Sequence, residues 1–173
     1  MKFEIVQVIN HPLEIVEKVL LSKDYIEYLK KNHSQVEEIN IEEYKEEGNI
    51  IKRRIYYQPK RIIEKILSYE IPKEAMAWIE VSSYDKSKHE MEFDNLPVKH
   101  KVRELMINRG TMRLEPSSGN KTKRIIKGEL KIKVFMIGKV AEKIIYQKAE
   151  KILEEEVRCL ENYIEELKSE GKL

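Results

Sequence analysis

At 173 residues, with 41% hydrophobic and 37% charged side chains and only six glycines and five prolines, the chain is too apolar to be disordered and long enough to bury a core. Its 33 Lys and Arg nearly cancel 31 Asp and Glu, leaving a net charge of +2, so no strong attraction to nucleic acid is expected of the molecule as a whole. Cys159 is the only cysteine, MKFEIVQVINHP has no signal-peptide apolar core, and no run nears the ~20 apolar residues of a membrane span, so a cytoplasmic protein without an intramolecular disulfide is expected.

Residues 2–9 alternate Phe3 and Ile5 with Glu4 and Gln7, which predicts a first strand. Two short helices should follow. In HPLEIVEKVLLS, Pro12 suits the first helical position, Glu14 can cap the open N–H groups, and Ile15, Val16, Val19 and Leu20 form the apolar face. In SKDYIEYLKKNH, Ser22 is the expected N-cap, with Tyr25, Ile26 and Leu29 on the buried side. Residues 36–46 and 50–58 then read as a hairpin turning through Glu47-Gly48-Asn49.

Between Pro59 and Pro72, Ile62, Ile63, Ile66 and Leu67 recur at helical spacing, which predicts a short helical insertion. Residues 74–84 predict a strand carrying Trp78, and Asp85-Lys86-Ser87-Lys88 a turn. His89, Met91 and Phe93 should then share one face of the next strand. A long strand is expected over residues 102–115, with Leu105 and Ile107 shifting phase to Met112 and Leu114 through a bulge at Gly110. In 126–136, Ile126, Gly128, Leu130, Ile132, Val134 and Met136 alternate with Lys127, Glu129, Lys131 and Lys133, the pattern of a strand with one wet face. From Gly138 to about Lys168 the period becomes helical, through Ile145, Ala149, Ile152 and Val157, over a length of roughly 45 Å.

One α+β domain over residues 1–173 accounts for this order: a curved antiparallel sheet of about six to seven strands wrapped around a long C-terminal helix, the helix-grip arrangement. A curled sheet closed by one helix tends to leave space between them. Ala141, Ala149 and Gly128 would widen that space, and Met76, Met91, Met106, Met112 and Met136 would give it an adaptable wall; the same residues also suit an ordinary core. The side chains assigned to the wall are Arg53, Tyr57, Trp78, His89, Met91, Phe93, Met106, Gly128, Leu130, Ile132, Ile145 and Ala149. Ile62, Ile63, Ile66 and Leu67 are assigned to a mobile lid, with Lys60, Arg61 and Lys65 suited to transient contact with an anionic membrane surface. If Ile51-Arg53-Ile55-Tyr57 is the inner row of its strand, Arg53 can hold a carboxylate or phosphate head group. If Ile50-Lys52-Arg54-Tyr56 is the inner row, Arg53 is solvated.

The four histidines, His11, His33, His89 and His100, have no metal-ligand spacing, and no Gly-rich phosphate loop or Gly-x-Ser-x-Gly elbow is present. His33 is expected to close a helix, where imidazolium would suit the dipole. Cys159, on the stripe of Ile152, reads as a small buried hydrophobe. No catalytic residue, metal or cofactor is assigned, and an enzyme would need a buried acid–base pair, His89 with a tyrosine being the candidate.

INHPLEIVEKVL and DYIEYL after the first strand, the strand end YYQP, the hairpin SYDKSKHEMEF and GELKIKVFMIGKVAEKII leading into the last helix resemble the START superfamily, also called SRPBCC, over nearly the whole chain. QPKRIIEKILSYEIP followed by EVSSYDKSKHEMEF looks like its PRELI lipid-transfer branch or that branch's uncharacterised bacterial relatives. The resemblance implies binding or transport of a lipid or other apolar molecule, with the loop after the third strand as a lid. It also admits cyclases, hydrolases and non-catalytic interaction modules.

Overall fold

A computed structural model describing residues 1–173 opens with β1 (Lys2–Ile9), followed by α1 (Leu13–Leu20) and α2 (Lys23–Asn32). Ser22 caps α2 as expected, its Oγ accepting the Tyr25 N–H at 3.2 Å. Pro12 stands one position earlier than expected: it is the extended N-cap residue of α1, and no side chain caps that helix. β2 (Val36–Glu47) and β3 (Ile50–Pro59) form the hairpin, with Gly48 at φ 58° in its turn. Next come β4 (Lys65–Ile66), β5 (Tyr69–Glu70), a 3-10 turn (Lys73–Met76), β6 (Trp78–Asp85), β7 (Glu90–Pro97), α3 (His100–Leu105), β8 (Met106–Ser117), β9 (Lys121–Ile132) and α4 (Gly138–Ser169).

The main sheet has seven strands, all antiparallel, in the order β1-β9-β8-β7-β6-β3-β2. Only β1 breaks the meander. It pairs with β9 from Lys2↔Glu129 to Ile9↔Thr122, and α1 and α2 carry the chain from that edge to the opposite one at β2. α4 packs across the inner face, which is the helix-grip fold. Its C-terminal half buries Cys159, Leu160 and Ile164 in one cluster with Val16, Val19 and Leu20 of α1 and Tyr25, Ile26 and Leu29 of α2. Its N-terminal half buries only Gly138 and Ala141 fully, the latter beside Ile63 and Ile66.

Five local expectations are corrected. The segment from Pro59 to Pro72 is a two-stranded hairpin, β4 pairing with β5, and not a helix. Isoleucines at 62, 63, 66 and 71 favour extended backbone, and a helix held between two prolines is too short to nucleate. Leu67, at φ 54°, forms the turn and points outward. Residues 74–76 belong to the 3-10 turn and not to a strand, which takes Met76 off the sheet.

Residues 102–105 are the end of α3, not a strand. β7 ends at Pro97, and its pairing with β8 stops at Asp94↔Arg109, so the chain is released to turn; Arg103 Nε fastens the turn by donating to Pro97 O at 2.9 Å. With Leu105 off the strand, β8 keeps one phase through Met106, Asn108, Gly110, Met112 and Leu114, and its register with β9 runs unbroken. The bulge at Gly110 is therefore absent. β9 likewise stops at Ile132, so Val134 and Met136 lie in the connection to α4, where Met136 is at φ 66° and 83% exposed. That connection turns sharply because Gly138 meets β9: a Cβ there would stand 2.3 Å from Ile132 O.

Candidate functional site

Between the sheet and the N-terminal half of α4 lies a cavity of about 430 Å³, and 32 of its 41 lining residues are hydrophobic. The sheet supplies its floor, α4 its roof through Ala141, Ile145, Ala149 and Ile152, and the β4–β5 flap one wall through Ile62, Ile63, Ile66 and Ile71. Val102 and Leu105 of α3 and Val134 and Ile137 of the β9–α4 connection complete that end. At the opposite end Leu20, Tyr25, Ile26 and Leu29 of α1 and α2 close it off.

Most of the side chains assigned to the wall are there: Arg53, Tyr57, Trp78, Met91, Phe93, Met106, Leu130, Ile132, Ile145 and Ala149 all line the cavity. Ile51-Arg53-Ile55-Tyr57 is the inner row of β3, and Arg53 is 8% exposed. Tyr57 stacks on Trp78, ring centroids 5.1 Å apart and planes 12° apart. Burial, and next the Glu80 carboxylate, push the Tyr57 hydroxyl well above the usual tyrosine range, with Arg53 opposing.

His89, Gly128 and Leu67 are not in the wall. His89 sits in the β6–β7 turn at φ 53°, one residue before β7, so strand alternation does not govern it. Its Nδ1 lies 2.7 Å from Glu17 Oε1, which also accepts the Tyr84 hydroxyl at 2.6 Å; the trio pins α1 to the hairpin outside the cavity. The acid–base pair sought for an enzyme is therefore not formed by His89 within the cavity. Gly128 does face inward, but the ring of Phe3 fills the space, Cζ lying 2.6 Å from where a Cβ would stand. Leu67 is 62% exposed at the flap tip.

Apart from Arg53, the charged and amide side chains of the wall were not read from the sequence. Arg124 is 2% exposed and donates to Gln7 Oε1 and to the backbone carbonyl of Leu153 at 3.3 Å, with Glu156 Oε1 at 3.2 Å. Two neighbouring α4 carbonyls are engaged as well, Glu156 O by the Tyr25 hydroxyl (2.9 Å) and Ile152 O by His33 Nε2 (3.1 Å). His33 Nδ1 accepts the Gln35 N–H at 3.2 Å, which leaves Nε2 as the ring nitrogen that donates to Ile152 O. Carrying the β9 alternation two residues back from Ile126 would have placed Arg124 inside. Glu80, Asn95 and Asn108 also line the cavity, on the inner phases of β6, β7 and β8. Cys159 is buried as expected, and burial pushes its thiol up. No helix is long and apolar enough to cross a membrane.

A family model described as "Protein of unknown function (DUF2505)" matches residues 4–164. No curated protein matches the sequence. Among solved structures, a START superfamily protein from Mycobacterium smegmatis is 12% identical with a TM-score of 0.56, over 96% of this chain and 98% of that one. The Zhui aromatase/cyclase from Streptomyces sp. R1128 is 12% identical with a TM-score of 0.62, over 96% and 94%. Human STARD10 is 19% identical with a TM-score of 0.61, over 97% of this chain and 66% of that one. At these identities the likeness is one of fold.

Proposed function

The chain belongs to the DUF2505 family, and from the cavity it builds we propose that it is a carrier or sensor of a lipid or other apolar small molecule. The observation that carries this reading is the cavity itself, about 430 Å³ lined mainly by hydrophobic side chains. In such an enclosure an apolar ligand gains roughly 25 cal/mol for each Å² of surface removed from water. The START-like fold and the PRELI-like order of segments support carriage between membranes as the form of that function.

The mouth supports transient contact with an anionic membrane surface. Leu67 and Tyr69 on the flap and Phe135 and Met136 on the β9–α4 connection are exposed, Phe135 to 90%. The three segments around them, 60–70, 98–105 and 133–143, hold nine Lys and Arg against four Glu. A basic rim around apolar tips suits a surface with negative headgroups.

An enzyme of the cyclase type is the alternative, supported by the likeness of fold to the Streptomyces protein. Its acid–base groups would have to come from the cavity wall, where Tyr57 and Glu80 are candidates, since His89 stands outside. Native mass spectrometry of the purified protein, followed by solvent extraction, tests the main reading. A bound apolar molecule recovered unchanged is the expected result. Protein that is empty and takes up no neutral hydrophobic dye would overturn it.

A further inference from the structure

Three polar side chains on adjacent strands form a row on the cavity floor, and we propose that this row reads a neutral hydrogen-bonding group of the ligand, a hydroxyl, carbonyl or amide, and not an anionic head group. The inference rests on the carrier reading and narrows its ligand class. Glu80 on β6 lies opposite Asn95 on β7. The β7–β8 ladder ends at Asp94↔Arg109; Asn95 and Asn108 are the next residue of each strand beyond it, and Asn108 pairs with Leu130 of β9. Alternation turns Glu80, Asn95 and Asn108 to the concave face, and all three line the cavity.

The charges around the row are already met. Glu80 Oε1 accepts from the Arg53 guanidinium at 3.3 Å and from Ser82 Oγ at 2.8 Å, while Arg53 also reaches Ser82 and the Met91 sulfur. Arg124 is paired with Glu156 at 3.2 Å. An anion meeting either buried guanidinium would have to displace its carboxylate. Lys148, the remaining cation of the wall, is partly exposed on α4.

Asn95 is different. Its Oδ1 is buried and has no hydrogen-bond partner in the protein, the one buried side-chain oxygen or nitrogen of the chain left so. Buried amides are normally bonded, so this one, on a residue that lines an apolar cavity, has no protein bond to lose when it turns toward a partner inside. A half-turn of the amide exchanges oxygen and nitrogen, so Asn95 can offer an acceptor or a donor, and Asn108 beside it can supply the complement.

Pyrene, 1-pyrenemethanol and 1-pyrenecarboxylate share one apolar body and differ in the group they offer the row. Titrated by their own fluorescence into the wild-type protein, the alcohol should bind about tenfold tighter than pyrene, as one net buried hydrogen bond allows, and the carboxylate no tighter than pyrene. Asn95→Leu with Asn108→Leu should erase the alcohol's advantage and leave pyrene within about twofold. Asn95→Ala alone should reduce that advantage, and serves if the double variant does not fold. Equal affinity for alcohol and pyrene, an advantage that survives these substitutions, or tighter binding of the carboxylate would overturn the neutral-group row and leave the carrier reading standing. Folded wild-type protein that binds none of the three would overturn both.

Discussion

The two halves of α4 carry the same kind of apolar stripe and meet different surroundings. Toward the C-terminus, Leu160 and Ile164 are wholly buried, because α1 and α2 fold over the helix and fill the space beside the sheet. Toward the N-terminus, Ile144, Ile145, Ala149 and Ile152 are only partly buried, because what covers them is a flap of two two-residue strands and a void. One amphipathic helix thus builds a packed core at one end and the roof of a container at the other. The difference lies in the covering elements and not in the helix.

Large-to-small substitutions test this comparison most severely. Leu160→Ala should destabilise the protein by about 2–5 kcal/mol, since it opens a cavity in close-packed surroundings. Ile145→Ala should lose less than about half of that, because its neighbour is already empty space. Urea melts of the two variants measure the difference, and equal losses would mean that the N-terminal half is packed as tightly as the C-terminal half.

Hydrogen exchange sharpens the same contrast at the flap. Amides of residues 62–71 should exchange at least about tenfold faster than those of Leu160–Ile164, and should slow when a ligand is added. Equal, strong protection of both segments without ligand would make the flap a fixed part of the core, and the mobile lid would be lost.

The smallest effect expected is a pH dependence at the packed end. Burial, with Lys168 nearby, lowers the His11 pKa below 6.5, and Glu165 at 3.3 Å opposes this only in part. The folded state therefore holds the His11 proton less tightly than the unfolded chain does. The stability from neutral His11 is present above pH 6.5 and is lost as pH falls through the lowered value. Melting temperatures taken from neutral to mildly acidic pH should fall less for His11→Asn than for the wild type. Parallel curves would show that His11 titrates alike in both states.

The first strand with its two short helices, a sheet of about six to seven strands and the long last helix follow from local pattern, whereas the β4–β5 flap and α3 do not. Alternation in β9 and the helical period of 138–169 are properties of consecutive residues, which is why they can be read along the chain. The assignment of Tyr57, Met91, Phe93, Leu130 and Ile145 to the interior came from the same periodicity. It failed where backbone geometry departs from a regular element. His89 lies in a left-handed turn, and Leu67 at the tip of a hairpin built from isoleucines that also fit a helix.

Sequence alone determined which face of β9 and of α4 is apolar, because side-chain direction repeats with backbone period, while the inner row of β3 stayed open. Only the tertiary structure decided what each face meets. Arg53 and Arg124 are interior because β3 and β9 turn those rows toward α4, where Glu80 and Glu156 compensate the buried charge. Phe3 occupies the space above Gly128 because β1 closes the sheet beside β9, a pairing between residues more than a hundred positions apart. The cavity exists for the same reason: whether an apolar face is filled or left open depends on the volume of partners brought from elsewhere in the chain, and no local pattern encodes that volume.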